Sequence, residues 1–141
     1  MVVKKIDRFS PCPCDSQIAY HKCCRPYHLG EAAPTPLALM RSRYCAYALG
    51  LVDYVIKTTD PANKSYTKDT AAWRLDLMPF CQQTSFDGLK IVEAEEGSDT
   101  VTFTACLRHS QADASFSERS TFRRSADGRW LYLSGTTPAD D

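Results

Sequence analysis

The sequence lacks a net charge and lacks any long hydrophobic run, and each absence excludes a class of protein. Its 17 Lys and Arg residues balance 17 Asp and Glu residues, so the formal net charge is zero. A neutral chain argues against general binding to nucleic acid or to a membrane surface, which positive charge promotes. No apolar run approaches the ~18 residues of a membrane helix, and residues 1–9 contain no apolar segment of signal-peptide length. We therefore expect a soluble, cytoplasmic protein without a membrane partner.

The sequence also lacks internal repeats. At 141 residues it has the length of one ordinary domain with a small appendage. The apolar fraction of 43% is sufficient for a hydrophobic core. A bound metal ion would therefore not have to hold the whole chain together.

Cysteine, in contrast, is abundant and unevenly distributed. Seven is an odd number, and a disulfide framework is expected mainly in exported chains, so reduced thiols fit this sequence better. Three cysteines occur singly in apolar surroundings: Cys45, Cys81 and Cys106. The others lie in the stretch CPCDSQIAYHKCC, as two pairs that flank eight residues: Cys12, Cys14, Cys23 and Cys24. Four thiolates on a short loop supply the tetrahedral sulfur shell that Zn²⁺ prefers.

The cluster predicts a structural rather than a catalytic zinc site, because four protein ligands leave no open coordination position. Local disulfides and free thiols are the alternatives, although a bond between the adjacent Cys23 and Cys24 would be strained. The fourth ligand is the least determined, because His21 or His28 could replace Cys24. A histidine beside a cysteine cluster is more often a hydrogen-bond partner of the ligands. Redox sensing by zinc release is a further alternative that no specific residue supports.

Positive charge is concentrated around the cysteine cluster. Residues 1–30 contain two acidic residues, Asp7 and Asp15, and five basic ones. The basic residues are Lys4, Lys5, Arg8, Lys22 and Arg25. They either balance the negative charge of a four-thiolate zinc site or face a protein partner.

The residues after the cluster have the apolar spacing of a helix. Thr35 and Pro36 have the character of an N-cap and a first helical residue. Apolar residues then recur at intervals of three and four, and Gly50 is suited to end the helix. The pattern predicts a helix over 37–49.

Prolines punctuate the rest of the first half of the chain. Pro26 is expected to stop any helix that begins at the second cysteine pair, and 27–36 to form a linker or a covering strap. Shorter helices are predicted over 52–58 and 70–78, the second limited by Pro79.

From residue 84 the apolar period changes from helical to alternating. The pattern predicts strands over four segments: 86–95, 101–108, 116–123 and 130–134. Asp127-Gly128 is a hairpin turn signal before the last of them. Helices followed by consecutive strands indicate an α+β fold, in which helices pack on a curved antiparallel sheet.

Two segments resemble known families. The stretch CPCDSQIAYHKCC is similar to the SEC-C motif, the zinc-binding tail of the translocation motor SecA. The continuation RPYHLGEAAPTPLALMRSRYCAYALGLVDYV, together with the closing DGRWLYL, resembles the YchJ family (UPF0225). In that family such a motif precedes a domain of NTF2-like, cystatin-type α+β architecture. The resemblance implies a zinc knuckle over residues 1–30, hereafter the knuckle, and an NTF2-like domain over residues 31–141, hereafter the body.

The resemblance also implies the ligand set. In SEC-C motifs the ligands are the first cysteine pair and the second pair, whose last member is Cys or His, and here they fall on Cys12, Cys14, Cys23 and Cys24. The usual Gly-Ser-Gly after the first pair is replaced by Asp15-Ser16-Gln17. Asp tolerates a left-handed backbone better than most residues and Gln does not, so an atypical turn is expected. Some family members carry a second SEC-C motif at the C-terminus, and residues 125–141 contain none.

A second group of candidate residues lies on the predicted helix and strands. Arg41 lies beside the apolar stripe of the helix over 37–49, where a guanidinium usually has a partner. Glu118 is in phase with apolar residues of its strand and is a plausible partner. If the sheet curls around the helix, both belong to one pocket, as a structural ion pair or as ligand-binding groups. The candidate pocket residues are Arg41, Tyr44, Glu118 and Trp130.

Two functions follow from these sites. The first is a zinc-binding interaction module, whose knuckle presents Tyr20, Lys22, Arg25 and Tyr27 to a protein partner. By resemblance to the SEC-C motif, that partner is expected in protein targeting, as a chaperone, the ribosome or an unfolded preprotein. The alternative is an enzyme or small-molecule-binding protein that uses the pocket of the body. No catalytic residue can be assigned, so an enzyme is the less expected outcome.

Overall fold

Helices precede strands in the computed structural model, which describes residues 6–138. Its four α-helices are α1 (Arg25–His28), α2 (Pro36–Leu49), α3 (Val52–Lys57) and α4 (Thr70–Gln83). Its five strands are β1 (Thr84–Glu93), β2 (Thr100–His109), β3 (Ala112–Asp113), β4 (Phe116–Arg124) and β5 (Trp130–Thr136). None of the helices in this part of the chain is long and apolar enough to cross a membrane. Lys4 and Lys5 of the basic segment lie outside the described residues.

Helix α2 begins and ends where the sequence predicts. Thr35 Oγ1 accepts a hydrogen bond from the Ala38 backbone N–H at 3.1 Å, and Pro36 lies in the first turn, where an N–H would be unpaired anyway. Gly50 follows the last turn with a φ of 74°, a left-handed conformation that a Cβ atom disfavours. Nine of the 14 residues of α2 are buried, so the helix is covered on more than one side.

Helix α4 continues past Pro79 to Gln83, so the stop predicted at Pro79 is wrong. Pro79 cannot donate a hydrogen bond to the Leu75 carbonyl, but both residues are exposed, so water can pair with that carbonyl. Beyond the proline, Cys81 is fully buried and the ring of Phe80 packs against aromatic rings of α2 and β1. These contacts offset the missing backbone hydrogen bond.

Helix α1 corrects a second expectation about proline. Pro26 does not stop a helix but lies in the first turn of one, where proline is tolerated. The predicted linker over 27–36 is therefore helical up to His28, irregular over 29–35 and helical again at Pro36, where α2 begins.

The strands form one antiparallel sheet in the order β1-β2-β4-β5. Strand β3, which the sequence did not predict, pairs with β2 beyond the part of β2 that pairs with β4. It follows a two-residue turn, Ser110-Gln111, in which both φ angles are positive (51° and 70°), as in a type I′ hairpin. Register shifts within β1 and between β4 and β5 mark bulges, which curve a sheet.

The hydrophobic core lies between α2 and the inner face of the sheet. The alternation predicted for β2 is confirmed, and its buried residues are Val101, Phe103, Ala105 and Leu107. Leu39, Met40 and Ala48 of α2 belong to the same cluster, as does Phe122 of β4. Burial of a large apolar side chain contributes about 1.5–3 kcal/mol, so these positions dominate the stability of the body.

Candidate metal centre and cavity

The four clustered cysteines converge at one point of the knuckle. The Cys12 backbone N–H donates a hydrogen bond to the Ile18 carbonyl at 2.9 Å, which folds the loop between the two pairs back on itself. The four Sγ atoms all lie within 4.8 Å of one another. Three of the thiols are buried, and that of Cys23 is half-buried. The cluster could therefore hold a metal ion largely out of contact with water.

The distances between the sulfur atoms fit a tetrahedral ion. With metal–sulfur bonds of about 2.3 Å, the edges of a tetrahedral shell are about 3.8 Å long. Cys23 Sγ lies 3.5 Å from Cys14 Sγ and 3.9 Å from Cys24 Sγ. All seven cysteines are free thiols, so the alternative of local disulfides is not present in the structure. The residues fit a metal ion whose shell they would complete.

The turn after the first cysteine pair has positive φ angles, which glycine favours, at two residues that are not glycine. Asp15 and Gln17 have φ values of 65° and 70°, in the region that favours glycine. Asp15 Oδ1 accepts a hydrogen bond from Gln17 Nε2 at 3.2 Å. Ser16 lies between them, with its Oγ 3.1 Å from Cys23 Sγ. The turn is thus left-handed at both positions where the SEC-C pattern has glycine.

The two histidines of the knuckle are engaged elsewhere, and Cys24 is the fourth member of the cluster. His28 Nε2 donates a hydrogen bond to the Ser42 carbonyl at 2.8 Å, so its Nδ1 accepts one from the Tyr20 hydroxyl at 2.7 Å. Desolvation lowers the pKa of His28, which favours this neutral form. His21 Nδ1 lies 2.9 Å from a backbone carbonyl oxygen.

Cys45 is a functional candidate that the sequence did not reveal. It was expected to be a single cysteine in apolar surroundings, but its Sγ lies 3.8 Å from Cys12 Sγ and is fully buried. Cys45 belongs to α2, so a thiol of the body contacts the cysteine cluster of the knuckle. After the hydrogen bonds with Cys14 and Cys24, the one with Cys45 also lowers the pKa of Cys12 and favours the thiolate that a metal ion binds.

The position predicted for Arg41, in a pocket with Glu118, is wrong. Its Nη1 instead donates a hydrogen bond to the Cys14 carbonyl at 2.9 Å and lies 4.0 Å from Cys14 Sγ. Arg41 and Cys45 are four residues apart and therefore share one face of α2. That spacing was the available signal that the two residues share one polar face of the helix. A guanidinium there favours thiolates electrostatically.

The knuckle packs directly on the body. Besides the Arg41 contact with the Cys14 carbonyl, Asp15 Oδ2 accepts a hydrogen bond from the Leu89 backbone N–H at 3.3 Å. His28 adds its bond to Ser42 of α2. These hydrogen bonds, together with the contact between the Cys12 and Cys45 thiols, join the knuckle to α2 and β1. The boundary at residue 30 stays a prediction.

Protons compete with a metal ion for the cluster. Hydrogen bonds from Cys14 and Cys24 lower the pKa of Cys12, whereas desolvation raises the pKa of Cys23 to about 11. Because metal ions bind thiolates, binding displaces the protons that remain. Metal affinity is therefore expected to fall as the pH falls.

The second candidate site is a cavity of about 290 Å³ between α2 and the sheet. Tyr44 and Glu118 line it, whereas Arg41 and Trp130 do not. Arg43, two residues after Arg41, lines the same cavity as Glu118. Trp130 lies under the Arg124 guanidinium, 4.7 Å from its ring centroid.

Most of the body matches a known protein family. Residues 35–135 match the family described as YchJ, middle NTF2-like domain. The chain belongs to the YchJ family. Two relatives described as UPF0225 proteins extend this YchJ match into the knuckle. That of Deinococcus radiodurans is 46% identical over 127 residues, which cover 89% of this chain and 88% of the relative. That of Streptomyces coelicolor is 43% identical over 131 residues, which cover 89% of this chain and 94% of the relative.

Two solved structures share the fold of this YchJ-family chain. The solution structure of a SEC-C motif containing protein from Rhodopseudomonas palustris has a TM-score of 0.77 and 34% identity, covering 92% of this chain and 100% of that one. The crystal structure of a SEC-C motif containing protein from Psychrobacter arcticus has a TM-score of 0.71 and covers 95% of this chain and 86% of that one. At 24% identity, the second shows the fold alone.

Proposed function

We propose that this YchJ-family protein binds one Zn²⁺ ion through its clustered cysteines and uses the knuckle to recognise a protein partner. The observation that carries the zinc assignment is the approach of four Sγ atoms to within 4.8 Å of one another. Sulfur ligands in a tetrahedron favour zinc over ions that prefer oxygen, and the resemblance to the zinc-binding SEC-C motif supports the same choice. Seven free thiols suit a reducing compartment, so we place the protein in the cytoplasm.

The zinc ion in this proposal is structural. Its four protein ligands leave no position for water or a substrate. When bound, the ion cross-links the loop that separates the two cysteine pairs. Arg41 holds that loop on α2 through the Cys14 carbonyl, so the knuckle has a fixed orientation on the body.

The surface of the knuckle supports a protein partner. Phe9 is 65% exposed and Ile18 is 48% exposed. The Arg8 guanidinium lies 4.9 Å from the Phe9 ring centroid, and Lys22 is also exposed. Exposed apolar side chains beside positive charges are typical of a protein-binding surface. We call these four residues the knuckle face.

The knuckle face differs from the surface expected from sequence. Tyr20 is held by its hydrogen bond to His28, and Tyr27 packs against the core of the body, so neither ring is fully presented to solvent. Phe9 and Ile18 take their place. Apolar and basic groups together suit a partner segment with apolar and acidic side chains. By resemblance to the SEC-C motif, we propose a partner in protein targeting, such as a chaperone, the ribosome or an unfolded preprotein.

Metal binding is tested by native mass spectrometry before and after acid denaturation. We expect one zinc ion per chain in the native spectrum and none after denaturation. The Cys14→Ser variant should lack the ion, while Cys81→Ser, in a buried thiol of α4, should keep it. An identical mass before and after denaturation would exclude the zinc site.

Partner binding is tested by capture from cell lysate with full-length variants. Phe9→Ser combined with Ile18→Ser should lose the captured partners and keep zinc, because both side chains lie on the surface. The matched control is Leu75→Ser combined with Val92→Ser, two residues of the body that are also exposed. Equal capture by both double variants would show that the knuckle face is not the recognition surface.

A further inference from the structure

The cavity of the body has the form of a small ligand site. Its volume of about 290 Å³ is near the lower end of the range for small-molecule pockets. Its wall is mainly aromatic and aliphatic. Two of the lining residues, Phe80 and Phe116, are 37% and 44% exposed, so the cavity reaches solvent beside them. An apolar molecule could therefore enter without unfolding the sheet.

A half-buried carboxylate lies at the polar end of the cavity. Glu118 Oε2 accepts hydrogen bonds from Ser120 Oγ at 2.5 Å and from the Tyr132 hydroxyl at 3.0 Å. Glu118 Oε1 has no hydrogen-bond partner within residues 6–138. A Cβ atom at Gly135 would overlap the carboxyl group, so this glycine leaves the space that Glu118 occupies. One carboxylate oxygen is thus fixed and the other is available.

A buried guanidinium lies at the same end. Arg43 Nη1 donates hydrogen bonds to the Val55 carbonyl at 3.0 Å and to Thr58 Oγ1 at 2.7 Å, and the guanidinium lies 4.7 Å from the Tyr132 ring centroid. Its Nε and Nη2 make no hydrogen bond in the described part of the chain. Arg43 and Glu118 also form no ion pair with each other there. An acceptor and a donor therefore face a common space without contacting one another.

A second hollow continues beyond these two charges. It has a volume of about 610 Å³ and lies between β5 and the residues that follow α3. It shares five lining residues with the first cavity, of which Arg43 and Glu118 are charged; the others are Tyr47, Leu77 and Tyr132. The second hollow has polar lining residues such as Asn63 and Asp76. A ligand with an apolar end and a polar end would match the apolar first cavity, the two charged side chains and the more polar second hollow.

We propose that the cavity binds a small neutral molecule with an aromatic body and a polar head that carries both a hydrogen-bond donor and an acceptor, as a primary amide does. The aromatic body occupies the apolar cavity, the head donates to Glu118 Oε1, and its acceptor receives a hydrogen bond from Arg43. A net charge on the head is disfavoured, because an anion would contact Glu118 and a cation would contact Arg43. This proposal is independent of the zinc-dependent function.

The probes for this site are three naphthalenes of one size, the 2-carboxamide, the 2-carboxylate and the 2-methylamine. Binding to the zinc-loaded full-length protein is followed by NMR chemical-shift changes and by calorimetry. We expect the amide to bind at least about tenfold more tightly than either charged probe. The shifts should include the side chains of Phe86 and Phe103 in the cavity wall.

Two variants locate the binding. Ala105→Phe adds a ring inside the cavity and should abolish binding of the amide, with folding checked by circular dichroism. Glu118→Gln removes the negative charge and keeps the shape, so it should weaken the amide and bind the carboxylate at least about tenfold more tightly than the wild type does. This inversion does not depend on whether Ala105→Phe folds. The proposal is overturned if the amide does not bind, if the carboxylate binds the wild type as tightly, or if Glu118→Gln changes neither affinity.

Discussion

The buried residues of the knuckle and those of the body differ in kind. In the knuckle, the cluster of buried residues consists of cysteines, with Cys45 of α2 beside them. In the body, the main cluster consists of aliphatic and aromatic side chains from α2 and the sheet. A few thiols bury too little apolar surface to offset the loss of chain entropy, whereas the body buries enough. The knuckle should therefore depend on its metal ion and the body should not.

Removal of the metal is the change that should separate the two regions most strongly. Chelation, or the Cys14→Ser variant, should unfold the knuckle and leave the body folded, because the buried cluster of knuckle residues 6–30 consists of cysteines, whereas the body has an apolar core. In an NMR spectrum, the amide signals of residues 6–24 should collapse to disordered positions while those of the sheet stay dispersed. Loss of dispersion throughout the sheet would show that zinc supports the body as well.

The converse change is Phe122→Ala, which leaves a hole in the core of the body. We expect a loss of about 3–5 kcal/mol in the free energy of unfolding, as for other buried aromatic residues. Zinc content below the unfolding transition should be unchanged. A loss of zinc from the folded variant would contradict the separation of the two regions.

The thiol of Cys45 belongs to the body and contacts the cysteine cluster of the knuckle, so substituting it tests whether the body supports zinc binding. Cys45→Ala removes the Sγ that lies 3.8 Å from Cys12 Sγ, and should lower zinc affinity by about tenfold, as changes to partners of metal ligands do. The stoichiometry should remain one ion per chain. Cys45→Ser, which keeps a donor, should recover most of the affinity, and Cys81→Ala serves as the control. Equal affinities in a competition assay with a chelator would mean that Cys45 only fills space.

Much of this difference between the regions could be predicted from the sequence, because it rests on local patterns. The cap at Thr35, the stop at Gly50 and the alternation of β2 are set by neighbouring residues, and each is confirmed. The cysteine cluster is equally local. The continuation of α4 past Pro79 could not be predicted, because distant packing of Cys81 and its neighbours stabilises it.

The direction of the α2 side chains could not be predicted for a related reason. An apolar stripe locates the face that meets the sheet, but α2 is buried on two sides and the second is polar. Arg41 and Cys45 face the knuckle, whereas Arg43 faces the cavity. Only the position of the knuckle on the helix distinguishes these arginines, and that position depends on contacts between residues far apart in sequence.

The left-handed turn of the knuckle offers a smaller test. Gln17→Gly should raise the stability of the zinc-bound knuckle by about 1 kcal/mol, because glycine adopts a φ of 70° without strain. Asp15→Gly should gain less, since it also removes the hydrogen bond to the Leu89 N–H. Hydrogen exchange of the zinc-bound protein gives the free energy of opening of the knuckle, and this value can be compared between each variant and the wild type. A destabilised Gln17→Gly would show that the Gln17 side chain matters more than its backbone.

The smallest expected effect is a pH dependence from His28. Desolvation lowers the pKa of folded His28 below its ordinary value of 6.5. The unfolded chain therefore binds a proton that the native state does not, and stability that is fully present above about pH 6.5 is lost as the pH falls toward the folded pKa. Urea unfolding at several pH values gives the free energy of unfolding as a function of pH. Its slope against pH should be shallower in His28→Gln than in the wild type. Since both proteins share the pH dependence of zinc binding, identical slopes would exclude a contribution from His28.

Four cysteine thiolates, without histidine, should hold one zinc ion in the knuckle. X-ray absorption at the zinc edge on the purified full-length protein identifies the atoms bound to that ion and measures their distances from it. The structure leads us to expect one shell of four sulfur atoms at about 2.3 Å and no nitrogen atom. A nitrogen scatterer at about 2.0 Å, or a protein that binds no zinc, would contradict the claim.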